Sequence, residues 1–175
     1  GIFVLHLCLT ASFVVLPLLI RDAGLVPQDH WMVYLPILVT SMAVIVPFVI
    51  IAEKKRQMKI IFIGAIITLM LANIGLFIFF NNLIGIIGFL WLFFCGFNLL
   101  EATLPSLISK TAPGDLKGTA MGAYSSSQFM GAFIGGAAGG WLYGEMGVET
   151  VFLFSAIAAG SWVLVALFMN PPKYL

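Results

Sequence analysis

The stretch "IIFIGAIITLMLANIGLFIFF" (60–80) carries no charged side chain, and Thr68 and Asn73 are its only polar ones. A helix needs about 20 apolar residues to cross roughly 30 Å of hydrocarbon. Five further apolar stretches of similar length surround it, so the predicted spans are 1–20, 31–52, 59–80, 84–107, 118–142 and 150–169. The short "NNL" (81–83) makes the third and fourth spans antiparallel neighbours.

Composition agrees with a membrane protein. The 175 residues are 62% hydrophobic and 9% charged, whereas a soluble domain has about 25% charged residues. The alternating ten-residue strands of a membrane β-barrel are absent from the pattern. The sequence therefore predicts an all-α membrane protein in which residues 1–175 form one domain of six transmembrane helices, in contact with lipid.

The loops predict the orientation. Basic residues gather on one side of the predicted spans, namely Lys54, Lys55, Arg56, Lys59, Lys110, Lys117 and Lys173, while Arg21 alone lies on the other. Since positive loops stay in the cytoplasm, both ends of this segment are predicted to be cytoplasmic. The first residue is not Met, which leads us to expect a longer natural polypeptide. The net charge of +1 indicates no nucleic-acid partner.

One carboxylate lies inside a span. Glu101 interrupts "FFCGFNLLEATLPSLISK" (93–110), where a charged side chain near a helix centre costs about 2.5–3.5 kcal/mol. Asn98 precedes it by three residues, so the two side chains share a helical face. Three interpretations remain open: Glu101 handles protons or substrate, it forms a gating or structural pair, or it reaches to the interface.

Polar pairs also occur on the first and fifth spans. His6 and Thr10 are separated by four residues, as are Tyr124 and Gln128, and each pair therefore lies on one face of its helix. These four side chains are candidates for a proton or substrate pathway. The alternative for each is hydrogen bonding between packed helices.

The fifth span is dominated by small residues. One ladder of glycines consists of Gly131, Gly135 and Gly139, and a second of Gly136, Gly140 and Gly144. Small residues at this spacing allow close helix packing in lipid. The spacing does not indicate whether the partner helix belongs to this chain or to another copy.

Catalytic signals are weak. The serines at 125–127 lack the GxSG motif of an intramembrane serine protease, and no aspartate lies within a predicted span. No cysteine, histidine and carboxylate group has the spacing of a metal site. We therefore expect a protein that is not an enzyme and needs no cofactor or metal.

Three stretches resemble the major facilitator superfamily (MFS) of transporters. "AEKKRQMK" (52–59) is similar to the D-R-x-G-R-R-like loop motif, with Glu53 at the acidic position, Lys54 and Lys55 among the basic residues, and Arg56 where the motif has glycine. "GGAAGG" (135–140) resembles the antiporter element G-P-x-x-G-G, with Gly136 in place of the proline. "LEATLPSLISKTAPGDLKGTAMGAYSSSQFMG" (100–131) is most similar to proton-driven efflux transporters of the YajR type.

The resemblance implies a specific assignment. The chain would be helices seven to twelve, the C-terminal half of a twelve-helix MFS fold in the bacterial inner membrane. Its partners would be the N-terminal six-helix half, protons and a small-molecule substrate. In this family the first and fourth helices of each half line the cavity, so His6 and Glu101 would face a shared space. The implied function is proton-coupled export of small organic molecules by alternating access.

The sequence is also compatible with an assignment other than half of a transporter. The chain would be a self-contained six-span protein acting as a homodimeric channel or scaffold. Its two copies would meet through the fifth span at Gly131, Gly135 and Gly139.

Overall fold

A computed structural model describes residues 1–54 and 57–169, without the side chain of Glu53. Six long helices fill these ranges: α1 Ile2–Asp22, α2 Trp31–Lys54, α3 Met58–Phe79, α4 Leu83–Thr111, α5 Lys117–Met146 and α6 Val148–Leu167. Short 3₁₀ turns at Pro27–Asp29 and Gly114–Leu116 precede α2 and α5. The predicted all-α class is confirmed, and most predicted span ends lie within a few residues of a helix end. The loop-motif residues Lys55 and Arg56, with the Glu53 side chain, lie outside the described part.

Five of these helices have both the length and the apolar composition of a membrane span, whereas α5 lacks the apolar composition. The reason is the composition of α5, in which glycine and serine take the places that leucine and isoleucine occupy elsewhere. Its 30 residues are nonetheless long enough to cross a bilayer. It packs lengthwise against α1, the most extensive helix pairing in the described ranges.

Turn chemistry explains two of the reversals. The Asn82 side chain accepts a hydrogen bond from the Gly85 amide at 3.0 Å and caps the start of α4. This tight turn makes α3 and α4 the antiparallel neighbours that the sequence predicts. Between α5 and α6, Gly147 has φ of +96°, a conformation that glycine adopts at little cost.

The core runs between α1, α3, α4 and α6. Its largest fully buried side chains include Leu5, Leu16, Leu69, Phe93, Leu100 and Phe152. By contrast, α2 rests mainly on α4 and exposes a row of large apolar residues, among them Leu35, Val39, Met42 and Val46. The bundle therefore has one loosely held helix, and both α2 and α5 present faces that no described residue covers.

The two glycine ladders of α5 differ in their surroundings. Gly131, Gly135 and Gly139 are buried, and a β-carbon on any of them would collide with the backbone of α1. No heavy atom of the described chain lies within 4 Å of a β-carbon built on Gly136, Gly140 or Gly144. The first ladder lies against α1 of the same chain.

This arrangement corrects one expectation. A second copy cannot meet α5 through Gly131, Gly135 and Gly139, because α1 already occupies that face. The proposed dimer contact at these glycines is wrong. The packing role of Gly136 and Gly140 stays a prediction, since their face of α5 is open.

Candidate functional site

Four polar side chains lie where α1, α4 and α5 come together. His6 comes from α1, Glu101 from α4, and Tyr124 and Gln128 from α5. We call these four residues the polar cluster. His6 Nε2 lies 4.0 Å from Glu101 Oε2 and 2.8 Å from Gln128 Nε2. Residues separated by up to 122 positions in sequence are thus brought into one site.

The His6–Gln128 contact has two chemical forms. With the Gln128 amide nitrogen facing the ring, Nε2 must accept the hydrogen bond and the imidazole proton sits on Nδ1, since the amide nitrogen only donates. If the amide turns so that its oxygen faces the ring, Nε2 becomes the donor. A proton arriving at Nε2 would therefore turn the Gln128 amide and place a positive charge 4.0 Å from the Glu101 carboxylate.

Several atoms of the cluster lack partners. Among the described residues, His6 Nδ1, Glu101 Oε2 and the Tyr124 hydroxyl are buried and make no hydrogen bond. Leaving such groups unpaired in an apolar environment is costly. Tyr124 is buried and lies one turn before Gln128 on the same face of α5. The cluster therefore offers donors and an acceptor that the described residues do not satisfy.

The walls of the cluster are apolar and aromatic. Phe97, one turn before Glu101 on α4, meets the His6 ring edge to face with the centroids 5.7 Å apart. The His6 side chain is 12% exposed and that of Glu101 36%. The carboxylate is thus only partly withdrawn from the surface.

Thr10 does not join the cluster. Its hydroxyl lies 2.9 Å from the His6 carbonyl and 2.8 Å from the Ala132 carbonyl on α5. A hydroxyl has one proton to donate, and both acceptors are backbone oxygens at the α1–α5 contact. Thr10 therefore ties α1 to α5, as the packing alternative expects, and its pathway role stays a prediction.

Asn98 also points elsewhere. Its amide donates to the Ser41 hydroxyl on α2 at 3.0 Å, and Ser41 donates in turn to the Leu38 carbonyl at 3.0 Å. Two turns nearer the start of α4, the Trp91 indole donates to Thr40 at 3.0 Å. These bonds join α4 to α2, so Asn98 and Glu101 serve different contacts although they share a broad helical face.

Thr40 and Ser41 are polar partners that the sequence analysis did not single out. Each is a hydroxyl residue within an apolar span, and hydroxyls there often bond across helices. Their adjacency in an otherwise apolar α2 is the signal that could have pointed to them.

Replacing Ser41 with alanine should lower the stability of the folded protein modestly. The change leaves the Asn98 amide without its α2 acceptor, and hydrogen bonds between membrane helices contribute about 0.6 kcal/mol on average and up to about 1.7. Unfolding of the full-length protein in detergent measures the loss. Ser161→Ala is the control, because that exposed hydroxyl donates to the Ala158 carbonyl of its own helix and, among the described residues, to no other helix. Equal unfolding midpoints for the two variants would contradict a stabilising Asn98–Ser41 bond.

Comparison with known proteins identifies the family. The chain matches the Major Facilitator Superfamily over residues 1–175. It is 44% identical over its full length to "Inner membrane transport protein YajR" of Escherichia coli K12, covering 38% of that protein. It is 28% identical over 173 residues to an "Uncharacterized transporter" of Buchnera aphidicola subsp. Baizongia pistaciae, covering 43% of it. Against "Uncharacterized transporter BU466" of Buchnera aphidicola subsp. Acyrthosiphon pisum, the identity is 32% over 135 residues.

The chain spans less than half the length of these curated relatives. The six long helices, five of them apolar enough to cross a bilayer, fit the membrane location of this family. Because the match to the family covers residues 1–175, this chain is an integral membrane protein that belongs to the Major Facilitator Superfamily.

Proposed function

We propose that this chain is helices seven to twelve of a proton-coupled exporter of small organic molecules, located in the bacterial inner membrane with both ends of the segment in the cytoplasm. The observation that carries the proposal is the polar cluster. It combines a carboxylate, an imidazole and a phenol in one partly buried site. The resemblance to "Inner membrane transport protein YajR", at 44% identity, supports the transport class and the membrane.

The cluster suits proton exchange. Glu101 and His6 both gain or lose one proton, and their nearest nitrogen and oxygen are 4.0 Å apart. Ionisable side chains inside membrane helices commonly form proton relays. The Gln128 amide accommodates either form of the His6 ring by turning. Protonation of this pair would therefore change a bond between α1 and α5, two helices that pack along most of their length.

The missing half explains the open surfaces. Transporters of this type need two repeats that rock about a central site, and this chain supplies one. The exposed rows on α2 and α5 include Val39, Met42, Phe129 and Phe133. We infer that the N-terminal half covers both rows and that its groups, the substrate or water meet the unpaired atoms of the polar cluster.

The test is proton movement in vesicles. The full-length protein would be reconstituted with pyranine inside, and small organic cations, neutral compounds and anions would be added in separate trials under an imposed pH gradient. We expect at least one class to provoke proton movement that saturates with its concentration. Movement of a compound without any proton flux would contradict the coupling, and non-saturating conductance without a compound would instead favour the channel.

A further inference from the structure

A hollow opens between α2, α3 and α4 on the side away from the polar cluster. Its volume is about 410 Å³, and its lining includes Phe48, Ile60, Gly64, Trp91 and Leu99. Ligand pockets typically measure roughly 300–1,000 Å³. The hollow exists because α2 packs on α4 and scarcely touches α3. Gly64 keeps it wide, since no described heavy atom lies within 4 Å of a β-carbon built there.

The depth of the hollow matches one leaflet of a bilayer. On α3 it extends from Ile60 to Thr68, which at 1.5 Å per residue is about 12 Å. Half of the hydrocarbon thickness is about 15 Å. Trp91 lines its inner end, where the indole is held by its bond to Thr40 on α2. An extended hydrocarbon chain entering beside Ile60 would therefore end near Trp91.

One exposed lysine, Lys54, lies near the mouth of the hollow. Lys54 ends α2 six residues after Phe48, and Lys59 directly precedes Ile60. Lys54 is exposed, and the Lys59 ammonium lies over the end of α6, donating to the Leu167 carbonyl at 3.1 Å. Basic residues beside a groove between membrane helices attract anionic lipid headgroups. The Lys54 charge near the mouth and the apolar walls of the hollow thus match the two parts of one molecule.

We propose that this hollow binds an anionic glycerophospholipid, with one acyl chain between α2 and α3 and the phosphate near Lys54. The lipid fills the space that α2 leaves beside α3 and thereby supports the most loosely packed helix of the bundle. The site is separate from the polar cluster and does not depend on proton coupling.

The binding test uses the full-length protein in detergent with equimolar phosphatidylglycerol and phosphatidylcholine of identical chains. Native mass spectrometry counts the lipids that stay bound. We expect severalfold more phosphatidylglycerol than phosphatidylcholine. Gly64→Leu, which projects into the hollow, should remove this excess, and Gly64→Ala, which adds one carbon, should retain it. Lys54→Gln should weaken the preference between headgroups.

Tryptophan fluorescence shows where the acyl chain of the bound lipid lies. The same protein in vesicles containing phosphatidylglycerol with brominated acyl chains should lose part of its emission by quenching, and that part should be missing from Trp91→Phe. Equal retention of the two lipids would overturn the proposal. An excess of phosphatidylglycerol that survives Gly64→Leu, or quenching that is the same in Trp91→Phe, would overturn it as well, because the lipid would then sit elsewhere.

Discussion

Proton movement should disappear when Glu101 is replaced with glutamine in the full-length protein. Glutamine has nearly the same shape as glutamate and keeps an oxygen acceptor, but it cannot bind and release a proton. The only partner that the structure brings within ion-pair range among the described residues is His6, so the fold should survive the loss of charge. In the pyranine assay, the rate with a transported compound should fall to that of protein-free vesicles.

The matched control is Glu145→Gln. Glu145 is exposed near the end of α5 and lies in no cluster with His6, so the same chemical change there should leave proton movement intact. An infrared measurement needs no substrate: the band of a protonated carboxyl group that appears on acidification should be smaller in Glu101→Gln than in Glu145→Gln.

The result also separates the interpretations of Glu101. If Glu101 only pairs with another group to hold a gate, the glutamine variant should still move protons and compound together, at an altered rate. If it carries the proton, movement of protons should cease while the protein stays folded. Unchanged proton movement in Glu101→Gln would contradict the proposed role of this residue.

Apolar length marks five of the six helices clearly and α5 less so, and it does not indicate which helices are neighbours. The spans followed from apolar length, and Glu101 stood out because a carboxylate inside a span is expensive. The contact between His6 and Gln128 could not be read from the sequence, because helical periodicity gives the face of a side chain and not the helix opposite it. Their separation of 122 residues leaves no local signal.

Asn98 and Glu101 show the same limit at closer range. Three residues along a helix rotate the side chain by about 300°, so the two directions differ by about 60°. That angle is small enough to place both on one predicted face. It is also large enough for Asn98 to meet Ser41 on α2 while Glu101 meets His6 on α1.

The spacing of the glycines in α5 likewise did not indicate which of the two ladders packs against another helix. Gly135 and Gly136 belong to two ladders about 100° apart around α5, and both ladders have the spacing of a close helix contact. Only the packing of α1 distinguishes them, because it buries the first and leaves the second open. Which ladder meets which helix depends on tertiary contacts that the spacing does not encode.

Replacing Gly135 with alanine should destabilise the full-length protein strongly. The added β-carbon would overlap the Leu7 carbonyl oxygen and the Thr10 hydroxyl on α1. Backbone atoms cannot turn aside as the end of a flexible side chain can, so α1 and α5 would have to separate. Overpacking of this kind costs typically about 1–3 kcal/mol, and the separation would also lengthen the hydrogen bond from Thr10 to Ala132.

Unfolding in detergent by increasing sodium dodecyl sulfate measures this effect, with Gly64→Ala as the control. Gly64 is also within a long helix, but its β-carbon would meet no described atom within 4 Å. Its midpoint should stay near that of the unchanged protein, while the Gly135→Ala midpoint falls. Gly136→Ala adds a second comparison: because α1 leaves this face open, a fall there would indicate a contact with something outside the described residues, such as the N-terminal half that we propose. Equal midpoints for Gly135→Ala and Gly64→Ala would contradict the tight α1–α5 contact, and with it the path by which a proton at His6 could move α5.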